Sequence, residues 1–251
     1  LYKKPSGVWI MAYTTIDDPS AYFQTTIYAG NGSADHSITN TGNSDLQPDW
    51  VWIKNRDATD VHCLFDSVRG VTKLLTTVGD VLESTDADTL DAFNADGFRV
   101  DADVKVNTNA ENYVSWQWKA GTTGSGTTTG SGTGKAYSYS VNTTPGFSII
   151  KYVGNGTEGH TIPHHLGAIP QMLIIKNLSA TTSWAVYHHK NTSAPATDIL
   201  RLDTDAATAD DASMFNDTVP TSTVFTLGST SSCNSNDASY VCYAFSEKQG
   251  Y

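Results

Sequence analysis

Five of the seven histidines lie in the second half of the chain: His160, His164, His165, His188 and His189. Imidazole is a ligand for zinc and nickel. Their spacing fits no compact metal motif, and adjacent residues on a strand point to opposite faces, so surface or interface histidine is the simpler reading. Loop aspartates come in two runs, Asp80–Asp86–Asp88–Asp91 and Asp203–Asp205–Asp210–Asp211. Their carboxylate oxygens would suit Ca²⁺, with Asp86, Asp88, Asp91, Asp203 and Asp205 as ligands. The glycine and terminal glutamate of an EF-hand are missing, and solvated loop charge is the alternative. Six tryptophans offer ring faces that could stack on sugar C–H faces.

Signatures of covalent or hydrolytic chemistry are missing. There is no Gly-x-Ser-x-Gly, no His-Glu-x-x-His and no phosphate loop. The four glutamates, Glu83, Glu111, Glu158 and Glu247, are scattered, and none forms the alternating carboxylate pair that sandwich glucanases carry on one strand. The chain therefore reads as non-enzymatic, with no cofactor other than the calcium considered above.

The elements that position these residues follow from composition. In 251 residues, 39% are hydrophobic and 10% aromatic, enough for a packed core. Only 16% are charged, so the polar surface must be Ser, Thr, Asn and Gly, residues of turns and strands. Acidic residues comprise 22 Asp and 4 Glu, which again favours loops over helices. A net charge of −11 without a basic stripe argues against nucleic acid and against an anionic membrane surface. No stretch approaches the ~18 apolar residues of a membrane span. Leu1-Tyr2-Lys3-Lys4 reads as the start of an internal fragment or processed product. Cys63, Cys233 and Cys242 are too few for a disulfide scaffold and are expected as free buried thiols, consistent with assembly in a reducing cytoplasm.

The sequence contains two copies of one unit. Tyr28-Ala29-Gly30-Asn31-Gly32 matches Tyr152-Val153-Gly154-Asn155-Gly156, and His36 matches His160. Trp52-Ile53-Lys54-Asn55 matches Ile174-Ile175-Lys176-Asn177, and Tyr113–Trp118 matches Tyr240–Phe245. The organisation predicted is a lead-in segment (1–21), a first repeat (22–121), a Gly/Ser/Thr-rich linker or loop plus a strand (122–144), and a second repeat (145–251). Short apolar runs at Val51–Lys54 and Met172–Ile175, and period-2 alternation at Tyr113–Trp118 and Tyr240–Phe245, predict strands. Asn31-Gly32 and Asn155-Gly156 predict hairpin turns. The best helix candidate is Asp86–Phe93. The fold class is all-β: two tandem antiparallel β-sandwiches, jelly-roll or lectin-like, arising by internal duplication.

The repeat signature is Tyr-x-Gly-Asn-Gly, a proline-led strand ending Ile-Lys-Asn, and a closing Tyr-Val-x-aromatic-x-aromatic strand. It resembles a repeat domain of virion structural and tail-fibre proteins of marine, cyanophage-like tailed phages, which are similar to concanavalin-A-like lectin sandwiches. The closing Gln249-Gly250-Tyr251 looks like the lead-in to a further copy. The resemblance implies a virion location, exposed on the particle after assembly in the host cytoplasm. It also implies other virion proteins as partners, a host-surface glycan as a ligand, and a part in fibre, spike or capsid decoration. A homo-oligomer, a trimer if fibre-borne, is expected. The rival reading is a free carbohydrate-binding lectin or a polysaccharide depolymerase.

Comparison of the copies assigns the tryptophans. Trp50 and Trp52 align with Met172 and Ile174, and Trp116 and Trp118 with Tyr243 and Phe245, so these four are expected in the core. Trp9 and Trp184 lack that explanation. Recognition is expected in the loops that differ between copies: Trp184, Tyr187 and His188 in the second, and Arg56, Asp60 and Asp66 in the first. His36 and His160 are expected to hydrogen-bond across the turn after Gly-Asn-Gly.

Overall fold

The computed structural model describes residues 14–250, together with the backbone of Tyr2–Lys3 and Trp9–Ile10, which pair with each other. Trp9 as a side chain therefore lies outside the described residues. The protein is all-β, with several antiparallel sheets; the helices among the described residues are the single turns Val104–Asn107 and Ala212–Phe215 and a 3-10 turn at Pro19–Ala21.

Each half builds a large and a small sheet. In the first half the large sheet runs Phe23–Ala29, Asn112–Trp118, Trp50–Asn55, Cys63–Asp66, Lys73–Thr76, Ser84–Thr85 in spatial order. In the second half the same order recurs as Phe147–Val153, Ser239–Ser246, Pro170–Asn177, Ala185–His188, Asp198–Arg201, Ala209–Asp210. The small sheets are centred on His36–Ile38 with Phe98–Val100, and on His160–Pro163 with Val224–Leu227.

Three apolar layers hold these sheets. Tyr28, Ile53, Phe65, Phe98 and Tyr113 fill the first sandwich, and Tyr152, Leu173, Tyr187, Phe225 and Tyr240 the second. A third core joins them: Trp50, Leu64 and Leu75 meet Phe147, Ile149, Trp184 and Tyr243 across the backs of the two large sheets. That third layer explains the burial patterns. The edge strand Phe23–Ala29 alternates buried and exposed, as a strand with one wet face must. Ser239–Ser246 and Pro170–Asn177 are buried along nearly their whole length because apolar layers cover both faces.

The same side-chain lock closes each sandwich. The Asn107 amide oxygen accepts from Asn31 N (2.9 Å) and lies 2.8 Å from His36 Nδ1, while its nitrogen donates to the Ser33 and Asp101 carbonyls. Asn234 makes the corresponding set with Asn155 N, His160 Nδ1 and the carbonyls of Thr157 and Gly228. The histidines thus bond where the sequence placed them, although their partner is an asparagine far along the chain. Beside each lock two tyrosines stack at 5.1 Å and 14°, Tyr28 on Tyr113 and Tyr152 on Tyr240. A Cβ on Gly30 would sit 2.2 Å from the Thr108 carbonyl oxygen, and on Gly154 2.4 Å from that of Ser235, so only glycine lets these loops meet.

Four local expectations change. Asn31-Gly32 and Asn155-Gly156 do not turn hairpins: the strands they connect belong to different sheets, so the chain crosses from one leaf to the other. Asp86–Phe93 is not helical, and its second half is the strand Leu90–Phe93. The Gly/Ser/Thr segment is no linker, because Thr122–Thr127 pairs in register with Ala136–Asn142, and that hairpin widens the second large sheet to eight strands. Its glycines have a reason. Gly124 and Gly126 face Tyr139 and Tyr137, and a Cβ there would come within 2.5 and 2.8 Å of the phenolic oxygens. Finally, the two sandwiches are not beads on a tether but share the third core.

Candidate binding surface

The loop residues singled out from the sequence do not converge. Trp184 is buried in the core between the sandwiches, where its indole N–H donates to the Thr76 carbonyl at 3.0 Å. Tyr187, on the strand Ala185–His188 that follows, is buried in the second sandwich. His188 is half-buried beside His189. Arg56 is exposed, and Asp60 accepts from the Asn55 amide at 2.7 Å, so these two flank one loop. Asp66 sits at the other end of the sheet and is fully buried. The sequence missed this because an apolar interface, invisible within either copy, covers Trp184 and Asp66.

Asp66 is a structural group. It accepts from Arg69 Nε at 2.5 Å and from the Tyr243 hydroxyl at 2.7 Å, and Arg69 also reaches Glu83 at 3.0 Å. Burial disfavours the charged Arg69 guanidinium, yet Asp66, Tyr243 and Glu83 together raise its pKa above the ordinary value. Burial, with Asp66 nearby, likewise pushes the Tyr243 phenol well above its usual range. Lys176 makes a second tie between the halves by donating to the Asp80 carbonyl, and it also donates to the Thr182 carbonyl of its own half.

Three of the five aspartates proposed for calcium have other partners. Asp86 pairs with Lys105 at 3.2 Å, Asp91 pairs with Arg99, and Asp203 accepts from the Trp184 backbone N–H at 3.1 Å. Asp88 and Asp205 are exposed. Among the described residues no three His, Cys, Asp or Glu side chains converge.

What the fold does bring together is aromatic. Trp50 stands opposite Trp118 and Trp52 opposite Trp116 on neighbouring strands, so spacing by two puts all four indoles on one face. Only Trp50 is buried, at 1% exposure, under Tyr243 and Phe147 of the other sandwich. Trp52, Trp116 and Trp118 are half-buried: Trp52 and Trp118 pack against the core of the joint, and Trp116 is outside it, which corrects its assignment to the core. With His62 they line a recess of about 230 Å³. Trp52 and Trp116 meet at 72° with centroids 6.2 Å apart, and Trp52 Nε1–H donates to His62 Nδ1 at 2.8 Å. Burial, and then Lys54, lowers the His62 pKa. The signal was legible in part: four tryptophans share one face, and the counterparts Ile174 and Tyr243 are buried in the joint while Trp52 packs half-buried against it and Trp116 is outside it.

A second recess, of about 550 Å³, opens beside the added hairpin, lined by Thr127, Thr129, Tyr137, His165, Ser222 and Thr223 among others. The His165 ring stacks on Tyr139 at 3.8 Å and 14°, and its Nε2 lies 3.0 Å from the Tyr137 hydroxyl. Both phenols are thus held by the turn that carries His165.

Fold and surface together define a paired-sandwich β protein with an aromatic recess on an outward sheet face. The chain belongs to the family described as domain of unknown function DUF7483, whose model matches residues 18–251 and so spans both sandwiches. No curated protein and no solved structure matches it.

Proposed function

We propose that this chain is a non-enzymatic structural module of a phage virion, a part of a tail fibre, spike or capsid decoration that attaches to the host surface. The observation that carries the structural half is the joint between the sandwiches. Trp50, Leu64 and Leu75 against Phe147, Trp184 and Tyr243, sealed by the Asp66–Arg69–Tyr243 network, make one block of two domains. Domains on a free linker move independently, whereas a large apolar interface holds them in one orientation. A rigid block suits a particle part that carries load. The virion setting itself comes from the repeat signature.

The attachment half draws on the aromatic recess, which also favours the rival reading of a free carbohydrate-binding protein. Its lining of three indoles and an imidazole holds no carboxylate, so it suits binding over glycoside hydrolysis, which uses paired carboxyl groups. Assembly as a homo-oligomer, trimeric in a fibre, and contact with other virion proteins complete the proposal.

Mass spectrometry of purified particles tests it. The chain is expected in stoichiometric amount in the virion fraction. Release of reducing ends from host polysaccharide by the purified protein would replace the structural reading with an enzymatic one.

A further inference from the structure

We propose that the recess between Trp52, Trp116 and Trp118 binds one neutral pyranose ring whose hydroxyls are equatorial, at an end or branch of a glycan. The inference rests on the attachment half of the function above and names its site and ligand class.

Shape sets the size of the ligand. Trp52 and Trp116 form a near-right-angled corner. A pyranose with equatorial hydroxyls has two flat C–H faces, one of which lies on one indole while the ring edge abuts the other. The volume of about 230 Å³ is below the ~300–1,000 Å³ of pockets for drug-sized molecules and leaves room for a single ring. A protein partner would need a far larger complementary surface than this corner supplies.

Polarity sets the orientation. Because Trp52 Nε1–H donates to His62 Nδ1, the neutral imidazole carries its proton on Nε2, and among the described residues no group accepts it. Among the described residues no acceptor meets the Trp116 indole N–H either, and Trp116 is half-exposed. The site thus offers two N–H donors to sugar hydroxyls beside an apolar floor. Charge sets the class. The lining residues bear no carboxylate that would bind an amino sugar as its cation, and the ammonium of neighbouring Lys54 is engaged by the carbonyls of Asn55 and Ala58. A chain of net charge −11 repels sulfated and carboxylated glycans, which leaves neutral rings.

The corner is also preorganised. Its tryptophans stand on central strands, with Trp50 wedged beneath Trp118 at 4.4 Å and 34°. Little side-chain freedom is lost on binding, which is how a shallow site gains affinity.

The test uses the intact chain and three probes: methyl β-glucopyranoside, methyl β-N-acetylglucosaminide and methyl α-mannopyranoside, whose axial hydroxyl breaks one C–H face. Indole N–H resonances and intrinsic fluorescence report on binding. Saturable millimolar binding of at least one equatorial probe is expected, shifting the Trp52 and Trp116 signals, with the axial probe weaker. Trp116→Ala should weaken binding by about tenfold or more, equivalent to at least ~1.4 kcal/mol. Trp116→Phe, which keeps an aromatic ring but removes the N–H, serves if the alanine variant does not fold, and should lower affinity less. Tyr137→Phe, at the other recess, should leave binding unchanged. No perturbation by any probe, or binding that survives Trp116→Ala in a folded protein, overturns the site. Preference for a sialylated or sulfated glycan overturns the ligand class. Finding the chain in purified particles while all probes fail would remove this recess and leave the virion role standing.

Discussion

Trp50 and Tyr243 stack with ring centroids 4.4 Å apart and planes 21° from parallel, one ring from each sandwich. Tyr243 is the counterpart of Trp116 in the repeat, yet it is buried while Trp116 is half-exposed. The back-to-back joint therefore uses the same sheet face of both halves but different parts of it. The first prediction below follows from what that joint covers.

Asp66→Ala should destabilise the protein by ~3–5 kcal/mol, because it strands the buried Arg69 guanidinium without its closest anion. Tyr243→Phe removes one hydrogen bond to the same carboxylate and should cost about 1 kcal/mol. Urea unfolding of the two variants and the double variant checks this. The double variant should lose less than the sum, since both act through Asp66.

His164 should make stability depend on pH. It is buried, Leu166 N–H donates to its Nδ1 at 3.2 Å, and its Nε2 faces the Thr221 carbonyl at 3.1 Å, so the ring is held neutral. Burial lowers its pKa to about 4. The unfolded ring, with a pKa of ~6.5, binds a proton first as pH falls. The stabilisation is therefore complete above ~6.5 and is lost as pH drops toward the folded value. Denaturation midpoints between those limits should decline, and His164→Gln should flatten that part of the profile. An unchanged profile would place the pH dependence on other groups.

Gly124→Val should push Tyr139 off the His165 ring, because its Cβ would come within 2.5 Å of the Tyr139 hydroxyl oxygen. Overpacking of this kind costs ~1–3 kcal/mol. Thermal melting should register the loss, and the Tyr139 and His165 resonances should lose their mutual ring-current shifts.

The three thiols should be inert in the folded protein. All are buried and free; burial pushes Cys63 up to about 12 and raises Cys233 and Cys242 further from reactivity. A disulfide-exchange reagent should modify none natively and all three in denaturant.

The sequence by itself determined the all-β class, the principal strands and the parallel course of its two halves. Alternation with period two and β-branched runs act within a few residues, and matched blocks such as Tyr28–Gly32 and Tyr152–Gly156 need only be read side by side. It also placed His36 and His160 in hydrogen bonds at their Gly-Asn-Gly turns, although the partners, Asn107 and Asn234, come from more distant chain. Tertiary structure alone decided what each outward sheet face meets. Trp184 and Trp116 are both aromatic residues of strand regions, and no local rule separates them. Trp184 is buried because the first half's large sheet lies on it, whereas Trp116, on that same sheet, is outside the joint's core and stays half-open. The same holds for Asp66, whose carboxylate became an internal ion-pair anchor once Tyr243 arrived from 177 residues away. The glycine-rich segment shows the reverse case. Its composition reads as flexible, but Gly124 and Gly126 make room for Tyr139 and Tyr137 on the next strand, and register, which is a property of the pair, turned it into an ordered edge. Burial and register are set by what packs on a segment from elsewhere in the chain, so they emerge only when the halves come together.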